Sequence, residues 1–439
     1  MKVIEFHYKD SCLMSQDELK TIGKQLEPEI KVARQALTTG YDSDYASINL
    51  STDTHLLNTV QAVIQEKKAL KPMMLVVIGI GGSNLGTMAV HEAIQGKFYN
   101  EQHPALKVYW ADSVDADYIG ALCGLLEQEL QRGGQVLLNV VSKSGATTET
   151  IANFQVLLPI LKNHRPEDYF RYVVATTDKD SALWHVAQQE KFVCLEIPKK
   201  VGGRYSVFSA VGLFPLGMLG VDIKELLEGA RSMMPEFTDT DITNNPAALS
   251  AAILATHYKK GLHIHDTFLF ANQLESVGKW YRQLMGESIG KEFNRNSERV
   301  CVGMTPTVSV GSTDLHSVGQ LYLGGPKDKV TTFVTVCSSA SLSVPYMQGY
   351  NQLVEDIQGR SLSTIMDAII DGVQIAYTKG SLPYVSFKLT ALSPFFLGQF
   401  LQCKMLEIMY LGYILDVNPF DQPNVELYKQ ETRKRLSHE

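Results

Sequence analysis

The sequence predicts an α/β protein of two domains, each a mostly parallel sheet flanked by helices. Three observations predict it: short β-rich runs recur along the chain, helix-length segments separate them, and the runs are near-continuously apolar, as strands buried on both faces are. The length of 439 residues exceeds what one core ordinarily organises and favours two domains over one.

In chain order the first set of runs is MMLVVIGI (73–80), ALKVYWAD (105–112), QVLLNVVS (135–142), YFRYVVATT (169–177) and KFVCLEIP (191–198). A helical, acidic stretch around 224–247 follows, and a second set begins at HIHDTFLFAN (263–272) and includes VTTFVTVCS (330–338). The expected division is a smaller domain over 42–225 and a larger one made of 1–41 and 226–439, the first forty or so residues packing on the second domain. The most apolar stretch, 395–415, contains Lys404 and Glu407. Each charge at a membrane midplane would cost roughly 2.5–3.5 kcal/mol, so a buried helix is expected rather than a span.

Composition narrows the partners. The hydrophobic fraction of 45% and charged fraction of 20% are those of a globular protein, and the formal net charge of −7 argues against nucleic acid. A small phosphate ligand is compatible with that balance, since one local cluster of cations and N–H groups suffices for it. The start, MKVIEFHYKD, lacks the pattern of a secretory signal, so a cytoplasmic protein is expected. Six scattered cysteines with no two-residue spacing indicate neither a zinc ribbon nor a redox dithiol, and most are read as small core residues. His263 and His265 alternate just before an apolar run, which reads as a strand entering a core rather than as a metal site.

In parallel sheets ligands bind beyond the carboxyl ends of strands, and the candidates cluster there. IGIGGSNLGT (78–87) sets Gly79, Gly81, Gly82 and Gly86 between a strand and a helix, where the backbone can approach an anion. Asn84 stands where a dinucleotide fingerprint needs its third glycine, and Thr87 where a Walker loop needs lysine, so neither nucleotide motif is satisfied. SKSGATTET (142–150) also follows a strand. It offers five hydroxyls (Ser142, Ser144, Thr147, Thr148, Thr150) and Lys143 around one glycine, donors without bulk for a phosphate monoester. A Ser/Thr-rich surface turn is the plainer alternative.

Arg204, in VGGRYSVFSAVGLFPLG (201–217), stands at the root of an apolar run, where a permanent cation needs an anion or a structural carboxylate. The pattern Glu-Ser-x-Gly-Lys occurs twice in LESVGKWYRQLMGESIGKE (274–292). Helical spacing puts Glu275 in a first turn, as an ordinary solvated carboxylate, and Gly286 at the helix end, with Glu287 just beyond. There the helix dipole works against ionisation, which suits a general base near neutral pH, so Glu287 is the better candidate. STDLHSVGQ (312–320) places His316 among polar neighbours, and NPFDQPNVELYK (418–429) holds Gln422 and Lys429. By itself Lys429 reads as a solvated charge.

Taken in order from Ile78 to Lys429, the segments GGSNLG, SKSGATTET, GGRYSVFSAVGL, GESIGK, TDLHS and FDQPNVELYK resemble the active-site segments of the phosphoglucose isomerase family. The resemblance implies two sugar-isomerase-type (SIS) domains and reversible aldose–ketose isomerisation of glucose 6-phosphate and fructose 6-phosphate, through ring opening and a cis-enediol(ate), in glycolysis and gluconeogenesis. It implies that Ser83, Ser142, Lys143, Ser144 and Thr147 hold the substrate phosphate with Gln422 near it, and that Glu287 moves a proton between C2 and C1. Arg204 would stabilise the intermediate, while His316 and Lys429 would serve ring opening and the hydroxyl protons. The histidine is implied to come from the neighbouring subunit of a homodimer. Neither metal nor cofactor is required by that chemistry. Ala146, Asn424 and Lys199 depart from the family pattern without removing a proposed functional group.

Two other readings share features with this one. A sugar-phosphate-sensing module would keep the loop at 142–148 but need neither Glu287, His316 nor Lys429. A nicotinamide dehydrogenase would give an absorbance change with NAD or NADP and substrate alone, and none is expected.

Overall fold

The computed structural model describes residues 3–338 and 340–437. Within them are the strands β1 (Glu5–His7), β2 (Met74–Ile78), β3 (Lys107–Ala111), β4 (Val136–Val141), β5 (Val173–Thr177), β6 (Val193–Glu196), β7 (Ile264–Leu269), β8 (Lys291–Phe293), β9 (Arg299–Val302), β10 (Thr305–Val310), β11 (Lys329–Val336) and β12 (Tyr384–Leu389). The chain divides into two compact units: a first of Lys31–Ser232 with Lys279–Leu284, and a second of Met1–Ile30, Met233–Gly278 and Met285–Glu439.

The first unit is built on a five-stranded sheet in the order β3-β2-β4-β5-β6, with every pairing parallel. All residues of β2, β4 and β5 are buried, as their unbroken apolar runs require when helices cover both faces. The polar exception on β4, Asn139, uses its amide nitrogen across the ladder, donating to the Val174 carbonyl and to Thr176 Oγ1, both at 3.1 Å. Leu126, Leu157 and Leu161 of the flanking helices share one apolar core with Val136, Leu138 and Val140 of β4. A fully buried aliphatic side chain there stabilises the fold by about 1.5–3 kcal/mol. The run at 169–177 is only half strand: Tyr169–Tyr172 forms a 3₁₀ turn, and the ladder begins where Val173 meets Leu138.

Strand order reverses at β2, which has β3 on one side and β4 on the other. The turns leaving β2 and β4 therefore diverge at a topological switch point, the usual ligand crevice of such sheets.

The second unit holds the order β1-β12-β11-β7-β10, parallel except for the antiparallel edge strand β1, and a separate β8–β9 hairpin. Its 395–415 segment is the expected buried helix, Pro394–Ile414, in which Lys404 and Glu407 pair at 2.6 Å with no exposure. Among the described residues no helix is long and apolar enough to cross a membrane. His265 is buried on β7, its Nε2 2.8 Å from Thr332 Oγ1, as the strand reading of that segment anticipates. The cysteines correct their expectation: Cys12 and Cys403 are buried, whereas Cys123 and Cys194 are half-buried and Cys301 and Cys337 exposed. Cys301 belongs to the largely exposed strand β9, and Cys337 follows the end of β11, where burial is already falling away.

Candidate active site

In the first unit two turns leave the switch point side by side. The turn after β2 is a 3₁₀ helix, Gly81–Ser83, that brings Ser83 to the carboxyl end of the sheet. Asn84, which displaces the third fingerprint glycine, is buried and donates to Asp112 Oδ2 at 3.1 Å, tying this turn to the end of β3. A second 3₁₀ turn, Gly203–Tyr205, presses against it. A methyl group on Gly82 would lie 2.2 Å from the Gly203 carbonyl carbon and 2.5 Å from the Arg204 nitrogen, so only glycine fits. Ser206 Oγ donates to the Gly203 carbonyl at 2.7 Å and lies 3.2 Å from the Gly82 carbonyl, joining the two turns. Arg204 is thereby carried into the interior at 3% exposure, its guanidinium 5.4 Å from the Tyr205 ring.

The turn after β4 carries the hydroxyl-rich loop. Ser142 is fully buried, Lys143 and Thr147 are half-buried and Ser144 is exposed. Thr147 occupies the cap position of the helix Thr148–His164, yet makes no side-chain cap bond, because its hydroxyl is 3.0 Å from Ser142 Oγ. The first turn of that helix thus starts without a side-chain cap, beside two hydroxyls, an arrangement that can accept an anion. Gly145 adopts φ +67°, and a methyl there would meet Ser181 Oγ and the Leu183 nitrogen at 2.7 Å.

Charge is arranged around the same loop. Burial lowers the proton affinity of Lys143, with Asp178 opposing that shift and Arg204 and Lys199 adding to it. Burial also pushes the Asp178 carboxyl up to about 6, against the pull of Lys143 and Lys199. Asp178, Thr177 and Ser181 escape a reading of the sequence; their only signal is that they lie at or just past the end of β5, the strand beside the loop. Gln283 escapes it too. A methyl on Gly81 would lie 2.8 Å from Gln283 Nε2, which places that amide over the first turn.

The second unit holds Glu287, His316, Gln422 and Lys429. Here one expectation is corrected: the helix Glu275–Ile289 does not stop at Gly286 but runs to a cap at Gly290, so Glu287 lies within its last turn. Burial of Ser288 and Ile289 outweighs the cost of about 1 kcal/mol for a glycine inside a helix. Glu275 is in the first turn as expected, although half-buried rather than solvated. Glu287 is half-buried. Its turn is pinned by Lys291, 6% exposed, whose ammonium donates to the Glu287 carbonyl at 2.9 Å and to the Asp421 carbonyl, and lies 3.0 Å from Asp421 Oδ1. Lys291 thus brings the Glu287 turn to the segment that bears Gln422, itself exposed.

Lys429 lies on the helix Val425–Leu436 and donates to Glu426 at 2.7 Å, a local pair rather than a lone solvated charge. His316 is exposed at the end of a 3₁₀ turn, Thr313–His316. It is not brought to Glu287. Gly286 packs on Pro306, near the start of β10, whereas His316 follows that strand's end at Val310.

Two helix-flanked, mostly parallel sheets, one with a hydroxyl-lined loop at its switch point, place the chain in the class of sugar-isomerase-type α/β folds. The profile of the phosphoglucose isomerase family matches residues 55–438. The chain belongs to that family. A glucose-6-phosphate isomerase of Carboxydothermus hydrogenoformans is 35% identical over 371 residues, 83% of this chain and 79% of that one. Among solved structures, a hypothetical protein from Thermus thermophilus superposes with a TM-score of 0.85 at 30% identity, covering 99% of this chain and 100% of the other. The glucose-6-phosphate isomerase of Chlamydia trachomatis shares the fold, with a TM-score of 0.81 at 20% identity over 99% of this chain and 88% of the other.

Proposed function

We propose that this chain interconverts glucose 6-phosphate and fructose 6-phosphate by opening the sugar ring and passing one proton between C2 and C1 through a cis-enediol(ate). The observation that carries the reading is the pairing, at the first sheet's switch point, of a loop after β4 that buries Ser142 beside Thr147 with a joined pair of turns that holds Arg204 inside. A phosphate monoester takes several charge-assisted bonds from such a donor set, each worth roughly 1.5–3 kcal/mol.

Ser83, Ser142, Lys143, Ser144 and Thr147 hold the phosphate, and Gln422 adds to its recognition. Glu287 takes the proton from C2 and returns it to C1; the electron pair of the broken C–H bond moves into the enediolate, whose negative charge Arg204 stabilises. The aldehyde carbon gains what the neighbouring carbinol loses, so the exchange balances within the substrate. Lys429 and His316 handle ring opening and the hydroxyl protons. Because Glu287 and His316 stand toward opposite ends of β10, the reading that fits is a homodimer in which each active site takes its histidine from the partner. We place this activity in the cytoplasm.

The test is a coupled assay of fructose 6-phosphate conversion to glucose 6-phosphate by the full chain, with turnover expected. Binding of the sugar phosphate without turnover would assign a sensing module instead and sink the isomerase reading.

A further inference from the structure

Behind the hydroxyl loop lies a second rank of hydroxyls. Thr177, the last residue of β5, is fully buried and donates from Oγ1 to the Ser142 carbonyl at 2.6 Å, with the Lys143 carbonyl a longer 3.3 Å away. The same Ser142 carbonyl accepts the Gly145 N–H at 3.1 Å, which closes the loop's turn. A hydroxyl has one proton. With that of Thr177 on the Ser142 carbonyl, the 2.8 Å contact between Thr177 and Ser181 must have Ser181 Oγ as the donor. Ser181 Oγ in turn accepts the Trp184 N–H at 3.1 Å, as the cap of the helix Ala182–Gln189. The result is one directional chain from Trp184 N–H through Ser181 and Thr177 to the Ser142 carbonyl.

That direction matters for the opposite side of the loop. In a planar trans peptide the N–H points away from the C=O. Holding the Ser142 carbonyl toward Thr177 therefore turns the Lys143 N–H away from it. The next peptide is held the same way, since the Asp178 N–H donates to the Lys143 carbonyl at 3.1 Å and so turns the Ser144 N–H outward. Successive N–H groups aimed outward form a concave anion site.

We propose that Thr177 and Ser181 are positioning residues for phosphate binding, which touch no substrate and act by aiming the Lys143 and Ser144 backbone N–H groups at the phosphate. This rests on the reading that the loop binds a hexose 6-phosphate. It adds two side chains outside the loop and gives the hydroxyl, rather than the bulk, of each the function.

The test uses the full chain and its variants Thr177→Val, Thr177→Ser and Ser181→Ala. The quantities measured are KM and kcat for fructose 6-phosphate and the inhibition constant of inorganic phosphate. Thr177→Val is expected to raise KM and the phosphate inhibition constant together by about tenfold, equivalent to about 1.4 kcal/mol, with kcat within about threefold. Thr177→Ser, which keeps the hydroxyl, is expected to restore both to within about twofold, and Ser181→Ala to raise both by about threefold. Wild-type KM and inhibition in Thr177→Val overturn the proposal, as does a Thr177→Ser variant as impaired as Thr177→Val, because packing and not the hydroxyl would then be what counts. If Thr177→Val does not fold, Ser181→Ala decides, and unchanged binding there overturns it. Failure of the underlying reading looks different: the unsubstituted protein would itself fail to isomerise the sugar or be indifferent to phosphate.

Discussion

The hydroxyl loop of the first unit and the Glu287 turn of the second are built on opposite plans. Around the loop the main chain sets the geometry, with Gly82 against Gly203 and Gly145 against Ser181 at distances that admit no side chain. Around Glu287 a single buried ammonium, Lys291, ties two segments together through two carbonyls and one carboxylate. A backbone-set site fails when bulk is added and is indifferent to charges that do not touch the ligand. A side-chain-pinned turn fails when one group is removed. The first plan suits rigid capture of an invariant anion; the second suits the proton exchange proposed for Glu287.

The comparison breaks most sharply at Glu287. Glu287→Gln keeps shape and removes the proposed base, so kcat is expected to fall by about 10²- to 10⁴-fold with KM within about threefold. Glu275→Gln, at the other end of the same helix, is expected to leave both within about threefold. Steady-state kinetics check the pair, and equal losses from the two would mean that the base is not set by its place at the carboxyl end of the helix.

Next in size is Gly82→Ala. The added methyl meets backbone at 2.2 Å and must push the two turns apart, so KM is expected to rise by roughly 30-fold, about 2 kcal/mol. Gly203→Ala is the control, because its methyl would meet Gly82 Cα at an ordinary 3.5 Å, and a change of no more than about threefold is expected. Similar KM values for both variants would remove the claim that main-chain contact sets this site.

Lys291→Met tests the other plan. It takes the ammonium donor away from the Glu287 and Asp421 carbonyls, at a cost of about 1–3 kcal/mol for each group that stays buried without a replacement. The expected outcome is a lower midpoint in urea unfolding and a kcat reduced by about tenfold, with the phosphate inhibition constant raised by no more than about threefold, the share that Gln422 adds. A rise in that constant as large as the fall in kcat would show that the two sites are not separable in this way.

Much of this is legible in the sequence alone, and the reason is physical. Strands β2 and β4 announce themselves because central parallel strands are apolar on both faces, and the glycine and hydroxyl turns after them are short-range patterns; β7 and β11 are announced by their β-branched and aromatic residues instead. Strand β10 does not: its Thr305, Thr307 and Ser309 look like loop until Asp266 Oδ1 is seen accepting from Thr307 at 2.7 Å and Ser309 at 3.0 Å. The end of the helix at 275–289 is hidden because glycine is a local stop signal that the burial of Ile289 overrides. Thr177, Asp178, Ser181 and Gln283 are silent for another reason. Each matters through what stands beside it in space, and nothing in TTDKDS or YRQLM distinguishes them along the chain.

The smallest expected effect concerns charge behind the backbone-set loop. Asp178 contributes its N–H to the Lys143 carbonyl, and Asp178→Asn keeps that N–H while removing the charge. The groups facing the carboxyl are Lys143, Lys199 and Glu196. Burial raises Asp178 from an ordinary 3.8 to about 6, so between those values the folded protein binds a proton that the unfolded chain does not. The carboxyl therefore costs nothing below the unfolded value of 3.8, its penalty grows as pH rises toward about 6, and above that the penalty is complete. Asp178→Asn is accordingly expected to stabilise the protein by about 1 kcal/mol at about pH 7.5, a value reduced from the full shift because the group is partly solvated. The gain should shrink through about pH 6 and vanish near about pH 4 in urea unfolding followed at each pH. A gain of the same size at about pH 4.5 and about pH 7.5 would show that Asn improves packing rather than relieving a buried charge, and the loop's indifference to charge would then extend to the residue directly behind it.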